Sequence, residues 1–386
     1  MKKLKSIFVM AIIMVFALTA MSSAQSNIVD SMDFQGTAVS ISAADAGAMA
    51  QKDNADIMKY SLEIEKAKVT SLKYNDAVKG YRSLYSDSKS INYLQTVKTN
   101  EIMRDYTDAN AKRNYDATVQ KVKSEVQESY YSALQAQQAV QINNDNLKVV
   151  KEIFDITKKK FDLGLVAKQE VLNVELNLLK AEKDLKASEV MAKTAKMALN
   201  IKLGREVMAE LGFKDELKFE EYKLGSIADA INKAIGNRNE VKTAEYAYQL
   251  QDINVQVEKG KNSSSSAATT ASLNFDQAKK DLENANKSIE LDVRANYLDI
   301  TQKAEEVKSG QKSVELAAEA LKIAQVSYEK GMTTLTDLQK AQVALQQAKL
   351  GLSKSILDYK LAILKYEDST GVGRTVIANS SAAASN

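Results

Sequence analysis

In the last third of the chain, apolar residues recur every seven positions: Leu338, Leu345, Leu352, Tyr359 and Tyr366, with Ala341, Ala348, Ser355 and Ala362 between them. An earlier stretch repeats this with Val171, Leu178, Leu185 and Leu199, interleaved by Ala181, Ser188 and Ala195. A seven-residue seam points to coiled-coil packing, and small residues at alternate seam positions let neighbouring helices approach closely. The wider pattern predicts helices over about 42–85, 100–160, 168–203, 226–259, 274–329 and 335–369. In the first of them Tyr74, Val78, Tyr81 and Tyr85 follow helical spacing, and the polar run SDSKSINYLQTVKTN interrupts the pattern after it. The second would reach about 90 Å at the helical rise per residue. Residues 205–225 hold an amphipathic piece, ELGFKDELKFEEYKLGS, expected to lie across the ends of other elements. NSSSSAATTAS (262–272) reads as a flexible connection, and the final ANSSAAASN as disordered.

The two halves align with one another. At an offset of 167, Val126 meets Val293, Tyr130 meets Tyr297, Phe161 meets Tyr328, Gly164 meets Gly331 and Gly204 meets Gly371. Nearer the start, KDNADI (52–57) resembles GNRNEV (236–241) at an offset of 184, so the first copy carries 17 extra residues, most simply within 78–115. The expected organisation is a signal peptide (1–24), an N-terminal extension (25–41), a first helical-hairpin repeat (42–204), a connecting segment (205–225), a second repeat (226–371) and a disordered tail (372–386). The signal peptide is read from a basic start, MKKLKS, the apolar run IFVMAIIMVFALTA, and small residues at Ser22-Ser23-Ala24.

One short pattern occurs twice, as FDLGLVAKQEV (161–171) and YEKGMTTLTDL (328–338): an aromatic residue, a glycine three positions later, and a carboxylate six beyond that, Glu170 or Asp337. A sharp reversal between helices wants a residue at positive φ, which glycine adopts without a Cβ clash. The carboxylates would then sit in the first turn of the outgoing helix, where its dipole favours negative charge. Thr334 and Asp337 have the spacing of a capping box, whereas Ala167 cannot cap in the first copy.

Composition narrows the chemistry. There is no proline in 386 residues, which suits long uninterrupted helices. Zero cysteine rules out disulfide stapling, and zero histidine with zero cysteine removes the commonest metal ligands and the commonest general base. No nucleophile–base pair or metal cluster can be named, so neither an enzyme nor a cofactor is expected. Without Lys2, Lys3 and Lys5 the chain has 50 basic and 50 acidic side chains, a balance that argues against nucleic-acid binding.

The paired turns resemble the two hairpin tips of the TolC (outer-membrane efflux protein) family. The tandem duplication, the Leu203-Gly204 close of the first half, and Asn237-Arg238-Asn239-Glu240-Val241, which is similar to that family's Asn-Arg-Pro-Glu-Leu, extend the resemblance over most of residues 42–371. It implies an all-α fold of two tandem long antiparallel hairpins forming coiled-coil segments of an α-barrel, completed as a twelve-helix tunnel by a homotrimer. It also implies a periplasmic adaptor, an inner-membrane transporter behind it, and a place in the cell envelope at or near an outer membrane. On this basis Phe161, Gly164, Leu165, Tyr328, Gly331 and Met332 would form adaptor-docking tips. Glu170, Tyr328, Thr333 and Asp337 would lie at or near a gate.

The chain also departs from that family. Spanning strands need about 9–11 residues of alternating apolar and polar type, and the region 255–280 offers only Ala271-Ser-Leu273-Asn-Phe275. Ala55 and Asn239 stand where prolines are customary, and Thr333 and Lys340 where a cation and a second carboxylate can occur. The leading expectation is therefore an export conduit with little or no β structure. The alternative is a coiled-coil envelope scaffold or adaptor that encloses no channel.

Overall fold

The computed structural model describes residues 34–378 except 53, 86 and 89. The expected signal peptide lies outside the described residues. Eight helices carry the fold: α1 (Ala43–Gln51), α2 (Ala55–Leu84), α3 (Thr99–Asp162), α4 (Lys168–Lys202), α5 (Ile227–Asn237), α6 (Asn239–Asn262), α7 (Ser266–Glu329) and α8 (Leu335–Thr370). A short helical turn (Ile91–Tyr93) and a π-helical turn (Leu94–Lys98) lead into α3.

The duplication is a property of the fold. Both α3 and α7 have 64 residues, so each would run about 96 Å. The extra length of the first copy sits at one end of the molecule. There α2 has 30 residues against 24 in α6, and 14 residues rather than three join it to the long helix. Both halves break ahead of the second helix. Asn54 caps α2 by accepting from the N–H groups of Asp56 and Ile57 (3.0 and 3.2 Å). Its repeat counterpart Arg238 has the same extended backbone but no capping side-chain bond.

Each long helix is flanked by two shorter ones laid end to end: α3 by α2 and α4, α7 by α6 and α8. The halves meet along α3 with α8 and, further from the turns, α3 with α6. The result is a four-column layer with an α2/α4 edge and an α7 edge. A small parallel sheet pairs β1 (Gln35–Ile41) with β2 (Ala209–Phe213) beside the middle of this layer. Among the described residues these are the only strands, and no helix is long and apolar enough to cross a membrane.

The principal core lies near mid-length and includes both members of the repeat pair Val126 and Val293, with Tyr130, Ile300, Leu199 and Tyr359. A second, smaller core (Ile153, Val174, Leu321, Tyr328, Leu335, Leu338) lies near the turns. In α8 the expected seam is seen in buried Leu338, Tyr359, Ala362 and Tyr366. In α4 the deepest line runs instead through Val174, Ala181 and Ser188, and Leu178 and Leu185 are only partly buried. Small side chains take the closest approach there, which is what close helix packing requires.

Five expectations are corrected. Residues 266–272 are helical and not flexible, because Ser265 caps α7 through Ala268 N–H (3.0 Å) and Ala268 and Ala271 are buried. The predicted helix 42–85 is divided, ending at Gln51 and restarting at Ala55, and the predicted helix 226–259 is divided at Arg238. Residues 205–225 contribute β2 and then a packed extended run, in which Leu217 is buried and the Tyr222 N–H donates to the Tyr359 hydroxyl (2.7 Å). Finally, residues 372–377 are hydrogen-bonded to the body of the fold, so order continues past the expected start of the tail.

Candidate functional site

The two turns lie side by side at one end of the layer. Each helix end is a Schellman closure. Gly164 N–H donates to Phe161 O (2.8 Å) and Leu165 N–H to Lys160 O (2.8 Å); Gly331 and Met332 repeat this with Tyr328 O (3.0 Å) and Ser327 O (2.8 Å). The glycines take φ of +72° and +74°. A Cβ on either would meet nothing within 4 Å, so the torsion, and not space, demands glycine; an L-residue there costs about 1–2 kcal/mol.

The outgoing helices start differently, as the sequence indicates. Thr334 Oγ1 accepts from Asp337 N–H (3.2 Å) and donates to the Asp337 carboxylate (2.7 Å). That hydroxyl bond, aided by Lys340 3.8 Å away, holds the Asp337 carboxyl below its ordinary range. Ala167 caps α4 with no side-chain bond. Thr333 Oγ1 lies 3.4 Å from Asp337, so Thr333, Asp337 and Lys340 form one local exposed group.

Phe161 and Tyr328, equivalent by repeat, have opposite surroundings. Phe161 is 38% exposed and Tyr328 2%. The Tyr328 hydroxyl sits 3.1 Å from Thr157 Oγ1 and donates to Glu170 Oε2 (3.2 Å). Lys160 donates to the Tyr328 carbonyl, with its ammonium 4.2 Å from the ring centroid. Burial pushes the Tyr328 hydroxyl above its ordinary pKa, with Glu170 adding to the shift and the Thr157 bond opposing it. Tyr328 is thus a link between the two turns, not part of their outer surface. That surface carries three exposed apolar side chains, Leu163, Leu165 and Met332 (73%, 68% and 68% exposed), beside exposed Asp162, Glu329 and Lys330. Thr157 and Lys160 escape sequence reading because they meet Tyr328 in the other half, and nothing in the sequence marks Leu163 as exposed. The one legible hint is the extra hydroxyl of Tyr328 over Phe161.

Behind the turns the halves are joined by neutral polar side chains. Gln342 donates to Asn146 and accepts from Asn177 (3.2 Å). Gln346 donates to Asn143 (2.9 Å), and Ser353 to Gln138 (2.6 Å). The long edges of the layer differ again. Apart from the turns, the large apolar side chains exposed on the eight helices fall on three of them: α2 (among them Met58, Leu62, Leu72), α4 (Leu172, Leu176, Met191) and α7 (Leu291, Leu298, Leu316, Ile323). The inner helices α3, α6 and α8 carry none beyond Phe161.

Known proteins share this fold of long paired helical hairpins. Residues 104–205 match the outer membrane efflux protein family model. No curated protein sequence matches the chain. Among solved structures, the chain is similar to CusC, whose study concerns folding and transmembrane channel formation, with TM-score 0.70, 12% identity, and coverage of 88% of this chain and 95% of that one. A membrane protein from Pseudomonas aeruginosa gives TM-score 0.68 at 13% identity over 86% and 90% of the two chains. The outer membrane protein VceC from Vibrio cholerae gives 0.66 at 11% identity over 86% and 97%. At these identities the likeness establishes the fold, and the resemblance read from the paired turns stands. The chain has the helical-hairpin fold of outer-membrane efflux channels.

Proposed function

We propose that the chain is the tunnel-forming component of an export or efflux conduit in the cell envelope and works without chemistry of its own. Copies pack edge to edge, the α2/α4 edge of one against the α7 edge of the next. Three four-column layers then close a twelve-helix tunnel around an aqueous passage. The observation that carries this reading is the placement of exposed apolar residues: they line the two open edges and are missing from the inner helices. Two different edges make a head-to-tail contact, which closes into a ring when its rotation allows.

The turns are the docking end. Leu163, Leu165, Phe161 and Met332 offer an apolar rim to a periplasmic adaptor that connects to an inner-membrane transporter. Glu170 and Tyr328 hold the two turns of one copy together, and parting them widens the entrance. Asp337 and Thr333 stand beside that entrance.

Cross-linking of envelope fractions tests the reading. The wild-type chain is expected to give a closed trimer, and Leu298→Glu with Leu316→Glu to abolish it. Losing two buried leucines removes about 3 kcal/mol or more per interface, roughly a hundredfold in association. A monomer or an open filament from the wild-type chain would instead favour a non-channel scaffold.

A further inference from the structure

Away from the turns, the segment after α8 crosses between the halves. It bends at Gly373 (φ +75°), where a Cβ would stand 2.7 Å from Arg238 Nε. Arg374 then donates to Asp368 of its own half and to Glu128 of α3 in the other (2.7 Å). Thr375 Oγ1 donates to Glu240 (2.7 Å), and its carbonyl accepts from Asn239 Nδ2 (2.8 Å). Ile377 ends the crossing on α3: its N–H donates to Asn114 Oδ1 (3.0 Å), and its carbonyl accepts from Asn114 Nδ2 (2.7 Å) and Asn110 Nδ2 (3.1 Å). Beside it Arg238, itself buried, donates to Glu240 (2.8 Å), Asp292 (3.0 Å) and the Ser369 carbonyl (3.3 Å). The segment forms one wall of an open cleft of about 620 Å³ between α7 and α8. After Gly204 the first half turns back instead: Arg205 bonds Asn200 (3.3 Å) and the Glu210 carbonyl (3.0 Å), and its crossing comes only further on, where the Tyr222 N–H donates to the Tyr359 hydroxyl (2.7 Å).

The halves are therefore joined by two kinds of contact. Between the turns and the waist the rungs are neutral amides and hydroxyls, and each can be exchanged for water at a small net cost. At mid-length Arg374 adds a charged bond across the halves, to Glu128, and breaking it leaves charges stranded in partly buried surroundings. We propose that residues 371–377 form a clasp that fixes the two halves at the waist and makes the waist the fulcrum about which the turns part. This rests on the reading that the turns move apart during passage, but its test uses neither export nor trimer formation.

The chain has no cysteine, so Leu165→Cys and Met332→Cys introduce a unique pair of spin-label sites, one on each turn. The distance distribution between them is measured in the full-length protein, with labelled copies diluted into unlabelled ones. In the background of Arg374→Glu, which sets three carboxylates together, the distribution is expected to broaden roughly twofold, while Arg374→Lys leaves it near wild type. Ile300→Ala, a core truncation that lowers stability without touching the clasp, leaves the width unchanged. Should Arg374→Glu fail to fold, Arg374→Gln removes the charge without repulsion and must still broaden the distribution. An unchanged width in the folded charge-removing variant, or equal broadening in Ile300→Ala, overturns the clasp. Either result leaves the conduit reading to stand or fall on trimer formation.

Discussion

The two junctions between the halves use opposite chemistry for the same task. Near the turns, Gln138, Asn143, Asn146, Asn177, Gln342, Gln346 and Ser353 meet through amides and hydroxyls. At the waist Arg374 bridges Asp368 of the second half and Glu128 of the first, beside Arg238, which binds Glu240 and Asp292 within the second half. A buried amide ladder defines register, because a slip of one helical turn leaves polar groups unpaired, yet no single rung is costly to open. An arginine held by two or more acceptors is far harder to release, since its carboxylate partners would be left without compensation. On the proposed parting of the turns, a long thin protein that moves at one end and stays assembled in the middle uses this difference.

Three measurements can break or sharpen the contrast. The largest effect is expected from Arg238→Ala, which strands Glu240 and Asp292 and opens the space beside Gly373. We expect a loss of about 3 kcal/mol in a denaturation experiment followed by circular dichroism, at the low end for a buried pair because Asp292 is partly solvated. A loss under about 1 kcal/mol would reduce the waist network to surface decoration. Next is Gln342→Leu, which leaves Asn146 and Asn177 without their shared partner. The expected cost is about 2 kcal/mol, with hydrogen exchange rising along α3 and α8 near the turns and unchanged at 371–377. A rise at both places would show that the two junctions are a single cooperative unit.

The smallest effect concerns acid. Burial alone would raise the Glu240 pKa, but hydrogen bonds from Arg238 and Thr375 outweigh it and hold the carboxyl below its ordinary 4.5. A depressed acid stabilises the fold fully above the unfolded value and loses that contribution as pH falls through the folded one. Below about pH 4.5 the waist should therefore loosen by about 1 kcal/mol or less, read as faster exchange in the first turn of α6 after correction for intrinsic rates. The neutral rungs have no such term, so equal acid sensitivity at Gln342 and Gln346 would erase the distinction.

Much of this molecule is legible without coordinates, and the limits have physical causes. Helix extents, both turns and the 167-residue repeat follow from patterns within a few positions: heptad spacing, missing proline, and glycine wherever a helix must reverse. The unequal start of α4 and α8 was readable from Ala167 against Thr334. Where local signals competed, they misled. Serines at 263–266 suggested flexibility, although one of them is the cap of a 64-residue helix with buried alanines behind it. The segment after Gly371 lacks periodicity, and its order comes entirely from partners elsewhere in the chain.

What the sequence by itself determined is the set of elements and their doubling, because backbone torsion, capping and helical periodicity are short-range. Only the tertiary structure decided which of two equivalent aromatic residues is buried, which edges of the layer stay open, and how the halves are bound. Tyr328 finds Glu170 158 positions away, Arg374 finds Glu128 246 away, and Asn114 meets Ile377 263 away. No local rule pairs such residues. They meet because α3 is laid along α8 and α6 of the other half in one register, and that register is set by the whole layer.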